Sequence, residues 1–297
     1  MEDSIHLGDN LDVLPTLRDD AFQLVYADPP FNTGRAQTRR TLATVADADG
    51  DRTGFKGRRY STRLLEQSSY RDSFDDYLGF LEPRLEELRR VLHPTGTLYL
   101  HLDYREAHYV KLLCDEIFGR DSFLNEIIWA YDYGARAKRR WPAKHDTILV
   151  YVKDARDYYF HSEAVDREPY MAPGLVTAEK TARGKLPTDV WWHTIVSPTG
   201  REKTGYPTQK PLALLERIVR SSCPPEGVVL DPFCGCGTTV DAAEQLGRRW
   251  IGMDINIRIQ VYAENGNAKF VKGGTQPTEA VPSVDPAMQM WPRHRWR

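Results

Sequence analysis

The sequence predicts an α/β protein, a doubly wound and mostly parallel sheet carrying one inserted segment. Three observations predict it. Short apolar runs of strand length alternate with amphipathic runs of helix length. Two of the apolar runs end abruptly in a carboxylate followed by proline, at Asp28-Pro29-Pro30-Phe31 and at Asp231-Pro232-Phe233. The alternation breaks over residues 153–205 and then resumes.

Size and composition bound the answer. A chain of 297 residues with 41% hydrophobic content can bury a proper core in one large domain or two modest ones. A net charge of -2 excludes a protein that is basic all over, so contact with nucleic acid has to use local patches. The cysteines Cys114, Cys223, Cys234 and Cys236 form no C-x-x-C pair, which argues against a zinc ribbon or a disulfide framework. The start, Met1-Glu2-Asp3-Ser4, is polar and unlike a signal peptide, and no apolar run has membrane-spanning length. A soluble, reduced, cytoplasmic protein is the expectation.

In chain order, Leu7-Gly8-Asp9-Asn10 reads as a turn leading into a short helix with Leu11 and Leu14 on one side. The run 21–27 reads as a buried strand ending at Asp28. Residues 32–73 are basic, glycine-containing and poor in periodic apolar residues, which predicts a mobile basic loop. Phe74, Tyr77, Leu78, Leu81, Leu85, Leu88 and Val91 place one apolar face on a helix over 74–92. Pro94-Thr95-Gly96 reads as a turn, 97–102 as a strand and 106–118 as a helix ended near Gly119. Residues 125–129 and 147–152 read as two more strands, joined by a basic stretch. The polar segment 153–205 is expected to stay outside the main sheet. Regular alternation returns with a helix after Pro211, a strand over 228–230, a tight glycine loop, a helix over 238–246 and a strand ending at Asp254. The tail from Gly273 is proline-rich and patternless, so disorder is expected there.

The two strand ends carry the chemistry. After Asp28 neither proline can donate a ladder hydrogen bond, and each fixes its own φ. A carboxylate and an aromatic ring are thus held at the carboxyl end of a strand, where ligands sit in open α/β sheets. Taken alone, the tetrapeptide could equally be an acidic turn. The stretch Asp231-Pro232-Phe233-Cys234-Gly235-Cys236-Gly237-Thr238-Thr239 joins a strand-end carboxylate to a glycine loop and a helix start. Asp254 ends the next strand, at roughly the 20-residue spacing at which an acid grips ribose hydroxyls. Neither G-x-G-x-x-G nor a Gly-Lys-Ser/Thr phosphate loop is present. The expected ligand carries a ribose without needing phosphates, and S-adenosylmethionine fits.

Asp28-Pro29-Pro30-Phe31, then Tyr206-Pro207-Thr208-Gln209-Lys210-Pro211, then Asp231-Pro232-Phe233 with its glycine loop, resemble the amino-methylating DNA methyltransferases. The order, catalytic half first and cofactor half last, is similar to that of their beta group. Gly8-Asp9, the 125–129 strand and His145-Asp146-x-Ile148-Leu149-x-Tyr151 support it, and the likeness covers roughly residues 5–265. The resemblance implies the S-adenosylmethionine-dependent methyltransferase fold. It implies 1–152 as the catalytic half, 153–205 as a target-recognition segment and 206–272 as the cofactor half.

The implied reaction moves a methyl group from S-adenosylmethionine to the exocyclic amino nitrogen of a base flipped out of double-stranded DNA. Asp28 and the Pro29 carbonyl would accept its N–H bonds, Pro30 would help fix that carbonyl and Phe31 would stack the base. The cofactor residues implied are Asp9, Thr208, Gln209, Lys210, Asp231, Phe233, Gly235, Gly237, Thr238 and Asp254, with no metal. Cys234 and Cys236 stand where the family usually has Ala or Ser, which predicts an oxidation-sensitive loop. Arg136, Lys138, Arg139, Arg140 and Lys144 are the candidate DNA phosphate contacts. Arg167, Arg183 and Lys185 are candidate base readers, whereas Tyr158, Phe160, Trp191, Trp192, His145 and His193 read as structural.

Asp at the head of the tetrapeptide favours adenine N6, with cytosine N4 as runner-up. RNA and protein-glutamine methyltransferases normally place the glycine loop first, opposite to the order here. A non-catalytic DNA-binding protein on the same fold is a further alternative, against which Asp28, Phe31, Asp231 and Asp254 all speak. The resemblance allows a homodimer and a cognate restriction endonuclease and requires neither.

Overall fold

The computed structural model describes residues 2–34, 37–46, 52–53, 59–70, 72–134, 136–197, 202–204, 206, 208–255 and 269–272. For 37–70 and 269–272 only the backbone is described. The tail from Gly273, expected to be disordered, lies outside them. In chain order the elements are β1 (Ser4–Leu7), α1 (Asn10–Val13), β2 (Phe22–Ala27), β3 (Gln37–Ala46), β4 (Arg52–Thr53), β5 (Arg59–Tyr70), α2 (Tyr77–Val91), β6 (Leu92–Leu102), α3 (Ala107–Phe118), β7 (Phe123–Ala130) and β8 (His145–Val152). They continue with α4 (Ala178–Arg183), β9 (Val190–Trp192), α5 (Leu212–Ser222), β10 (Val228–Asp231), α6 (Thr238–Gln245), β11 (Arg249–Asp254) and β12 (Lys269–Lys272).

A nine-stranded sheet runs in the order β12-β1-β11-β10-β2-β6-β8-β7-β9. Its pairs are parallel except where β8 meets β6 and β7. The strands at its centre read as continuous apolar runs because both of their faces are covered. One face packs Leu81, Leu85 and Leu88 of α2 and Val110, Cys114 and Phe118 of α3. The other packs Leu214, Leu215, Ile218 and Val219 of α5 and Val240, Ala242 and Ala243 of α6. Alternate residues of β2 serve the two sides, with Val25 and Ala27 in the first cluster and Leu24 and Tyr26 in the second. No helix among the described residues is long and apolar enough to cross a membrane.

Local chemistry sets the helix ends. The Asp76 carboxylate accepts the Gly79 N–H at 2.8 Å and caps α2. Gly119, at φ 91°, stops α3, as its lack of a Cβ permits.

Four sequence expectations need correction. Residues 4–7 form a parallel strand between β11 and β12, not only the approach to a turn. Pro94-Thr95-Gly96 falls inside β6 rather than forming a separate turn, where the pairing with β2 shifts register. The expected loop over 32–73 contains an antiparallel three-stranded sheet, β3-β5-β4. Thr38, Thr41, Thr44 and Val45 favour extended backbone, but polar residues on both faces hide the period-two pattern. The 153–205 segment does extend the main sheet, because Val190–Trp192 add a short parallel edge to β7. Its aromatics also divide: Trp191 is buried, but Trp192, Phe160 and Tyr158 are exposed and do not serve as core.

Candidate active site

The site follows from the topology. β2 and β10 are neighbours in parallel register, with Leu24 opposite Val229 and Val25 opposite Leu230. From β2 the sheet continues through β6, and from β10 through β11 in the opposite direction. That is a switch point, where crossovers diverge and leave a crevice at the carboxyl ends. Asp28, Asp231 and Asp254 all emerge at that edge. They line one cavity of about 460 Å³ together with Asp9, Pro29, Pro30, Phe31, Thr208, Gln209, Lys210, Phe233, Gly235 and Thr238. Gly237 is the predicted site residue of this group that stands behind the lining, as the left-handed cap of α6 at φ 87°.

Around the tetrapeptide the contacts are specific. Lys210 Nζ donates to Asp28 Oδ2 at 2.5 Å, and both side chains are largely buried. Asp28 Oδ1 is buried with no partner among the described residues. The same ammonium lies 4.9 Å from the centre of the Phe31 ring. Tyr77 of α2 donates its hydroxyl to the Pro30 carbonyl at 2.7 Å, which pins the turn from outside. Phe31 also packs near the His101 ring, with centroids 5.7 Å apart.

His101 was absent from the sequence prediction. It is fully buried on β6 and bonds the Tyr26 hydroxyl through Nδ1 at 2.8 Å and Asp146 Oδ2 through Nε2 at 3.2 Å. Tyr131 donates to the other Asp146 oxygen at 3.0 Å. Burial pushes the Asp146 carboxyl up, but the His101 bond and charge, with Lys210 and Tyr131, bring it below its ordinary value. A satisfied polar relay thus supports the wall behind Phe31.

On the β10 side the loop is shaped by glycine. Gly235 sits at φ 55° with its N–H on Asp254 Oδ2 at 2.9 Å, and a Cβ there would come 3.2 Å from the Tyr206 ring. Asp231 accepts the Phe233 N–H at 3.0 Å. Burial pushes the Asp231 carboxyl up to about 7; Thr239 and the Phe233 N–H oppose that, while Asp28 and Asp254 add to it. Burial, first of all, also raises the Cys234 and Cys236 thiols. Both residues are buried and yet line the same cavity.

Three predicted cofactor residues have their polar groups engaged within the protein. Asp9 caps α1 through Leu11 N at 2.9 Å and takes the Arg84 guanidinium at 2.8 and 3.0 Å. Gln209 accepts from Thr204 and donates to the Glu202 carbonyl, closing the loop ahead of α5. Lys210, expected beside the cofactor, has its ammonium on Asp28 instead. Arg84 and Asn10 form a further support missed in the sequence. Arg84 Nε donates to Asn10 Oδ1 at 2.8 Å, and Asn10 Nδ2 donates to the Pro232 carbonyl at 2.9 Å. No short motif announces such a chain of contacts.

The strand-end carboxyl groups of Asp231 and Asp254, with the bare backbone of Gly235, suit a ligand that is cationic and carries hydroxyls. The candidate DNA residues are a separate group. Arg136, Lys138, Arg139 and Arg140 are exposed on the loop between β7 and β8. β7 runs parallel to β6 and β2 through the reversal at β8, so this loop opens at the same edge as Asp28. Lys144 differs: its ammonium bonds the Asp132 carbonyl at 2.5 Å. Of the candidate base readers, Arg167 is paired with Glu163 at 2.9 Å, and Arg183 approaches the same carboxylate at 3.6 Å.

Residues 22–265 match the profile of the N6/N4 methyltransferase family, described as DNA methylase. The DNA adenine methyltransferase YhdJ of Escherichia coli K12 is 31% identical over 257 residues, covering 84% of this chain and 77% of that protein. The type II methyltransferase M.HpaI of Haemophilus parainfluenzae is 28% identical, covering 86% and 71% respectively. The solved PvuII DNA methyltransferase, named as cytosine-N4-specific, shares the fold with a TM-score of 0.58 at 15% identity, over 86% of this chain and 83% of that one.

Proposed function

The chain belongs to the N6/N4 DNA methylase family, and from that premise we propose that it methylates the exocyclic N6 of adenine in double-stranded DNA, with S-adenosylmethionine as donor. The observation that carries this reading is Asp28 Oδ1, a buried acceptor without a partner among the described residues, beside an aromatic ring in the switch-point crevice. A flipped base supplies an amino N–H for the first and a π-face for the second.

When bound, S-adenosylmethionine supplies a methyl group activated by a positively charged sulfur. Asp9, Asp231, Phe233, Gly235, Thr238 and Asp254 line the cavity and are the residues that would hold it. The protein's own work is on the acceptor. An exocyclic amino nitrogen is a poor nucleophile because its lone pair is delocalised into the ring. Asp28 accepts one N–H, and the Pro29 carbonyl, held between two rigid prolines, accepts the other. The Pro30 carbonyl is already engaged by Tyr77, which leaves Pro29 for this role. Both bonds favour a tetrahedral nitrogen and strengthen as positive charge develops there. Phe31 holds the ring plane, a stacking worth about 1–3 kcal/mol per base. Transfer would form the N–C bond as the donor's S–CH3 bond breaks with its electron pair left on sulfur, and the amino proton would pass by way of the Asp28 carboxylate to solvent, so that the nitrogen ends neutral.

Asp at position 28 favours adenine over cytosine in this family, and the relative that is 31% identical is named for adenine. The exposed 136–140 loop is assigned to DNA phosphates, and the 153–205 segment to the base edges.

The test is to sequence host DNA for modified bases with the wild-type protein and with Asp28→Ala. Wild type is expected to leave N6-methyladenine at a defined motif. The variant is expected to leave none while binding S-adenosylmethionine with unchanged affinity. A product confined to N4-methylcytosine would move the acceptor to cytosine; retained modification by the variant would remove Asp28 from the mechanism.

A further inference from the structure

Asp28 needs more than a strand end to hold its carboxylate in one orientation. Resting on the methyl-transfer reading, we propose that Lys210 is the positioning residue of the acceptor clamp: its ammonium holds Asp28 through Oδ2 and so presents Oδ1 to the amino group of the target base.

Four observations converge on it. The Lys210 Nζ to Asp28 Oδ2 contact is 2.5 Å, and the two side chains are only 8% and 17% exposed. The partner oxygen, Oδ1, is the buried one without a protein donor among the described residues. A carboxylate gripped at one oxygen cannot rotate freely, so the orientation of the other is set. The same Nζ stands 4.9 Å from the Phe31 ring centre, so one cation touches both halves of the clamp and fixes their relation. The lysine backbone is itself held. Gln209 ties back to Glu202 and Thr204, and Pro211 opens α5 immediately after, restricting Lys210 to extended backbone.

The competing role is that of a cofactor ligand. Lys210 and Arg84 are the basic side chains lining the cavity, and a donor carrying a carboxylate calls for a cation. Arg84 is taken by Asp9 and Asn10. The geometry favours the acceptor side, because the ammonium is already directed at Asp28 and Phe31. Lys210 and Asp28 stand 182 positions apart, so the pairing joins the catalytic half to the cofactor half. Only a correctly assembled switch point presents the clamp.

The experiment is single-turnover methylation of cognate duplex by the full chain, with separate titrations of S-adenosylmethionine and DNA. Lys210→Ala is expected to slow methyl transfer about 100-fold, the loss that a displacement on the order of 1 Å produces. Cofactor and DNA affinities are expected to stay within about threefold of wild type, since neither ligand is held by the lysine. Added ethylammonium is expected to restore part of the rate saturably, a response that a merely structural role would not give. Lys210→Gln, which keeps an N–H donor without charge, is expected to fall between alanine and wild type. It carries the same comparison if the alanine variant does not fold.

A wild-type rate in either variant overturns the proposal. So does a loss of cofactor affinity that matches the loss of rate, which would make Lys210 a cofactor ligand. Failure of the wild-type chain to methylate any DNA instead overturns the functional reading, and that control separates the two.

Discussion

At the scale of single residues, Asp231 makes the most direct prediction about pH. Its carboxyl is buried at the end of β10 and raised to about 7, mainly by desolvation. A carboxyl raised on folding keeps a proton that the unfolded chain has already released. Its penalty to stability therefore builds as pH rises from the unfolded value, about 3.9, toward about 7, and is constant above. A cation placed beside it reverses the shift and expels the proton. S-adenosylmethionine binding at pH 6.5 is thus expected to release protons, and affinity to rise with pH up to about 7. Calorimetry in two buffers of different ionisation enthalpy measures the release. Asp231→Asn should abolish it, and identical heats for the wild type in both buffers would sink the idea. Asp28 and Asp231 were legible as candidates because each sits in a local motif whose prolines and glycines have one evident use. Lys210 was legible as a site residue but not in its contact, and His101 was not legible at all. Both depend on partners brought together across the sheet, and a lone His in an apolar run reads like any core residue.

At the scale of elements, the strands expected least are those between Gly34 and Asp72. The Gly34 N–H donates to the Asp72 carbonyl at 2.9 Å, and Thr33 bonds the Asp72 carboxylate, so the two ends of this excursion meet at the wall of the cavity that Phe31 also lines. The excursion carries Arg39, Arg40, Arg52, Arg59 and Arg63 in its strands, against Glu66. A basic antiparallel ribbon is a shape that DNA grooves accept. Replacing residues 37–70 by a short Gly-Ser link, which the adjacent ends permit, is expected to leave cofactor binding and the melting temperature close to wild type. It should weaken DNA binding and flatten its dependence on salt, as lost phosphate contacts do. Filter binding across a salt series measures both, and an unchanged slope would show that the ribbon does not meet DNA. Helices were easier to read than this ribbon. The apolar faces of α2, α3 and α5 repeat at helical spacing, whereas strands polar on both sides give no pattern to find.

At the scale of the whole molecule, one crevice collects groups from β2, β10, β11 and the segment before α5. A ligand filling it ties together strands on both sides of the switch point and must stabilise the entire sheet. With S-adenosylmethionine at 100 times its Kd, the chain is expected to gain about 2.7 kcal/mol against unfolding. Chemical denaturation with and without cofactor measures this. A single transition moving as one is the expected form, and a shift confined to one of two resolved transitions would mean that the halves unfold separately.

The fold class, the two strand-end carboxylates and the glycine loop were readable from the chain alone. These rest on backbone rules that act within a few residues: proline ends a ladder, glycine permits a left-handed turn, and apolar periodicity selects a face. Which groups meet was set by the assembled sheet. Lys210 closes on Asp28, Tyr77 occupies the Pro30 carbonyl, and His101 with Asp146 supports the wall behind Phe31. Long-range contacts of this kind are made by the register of β2 against β10 and β6. A register is a property of paired strands, and no single stretch of sequence carries it.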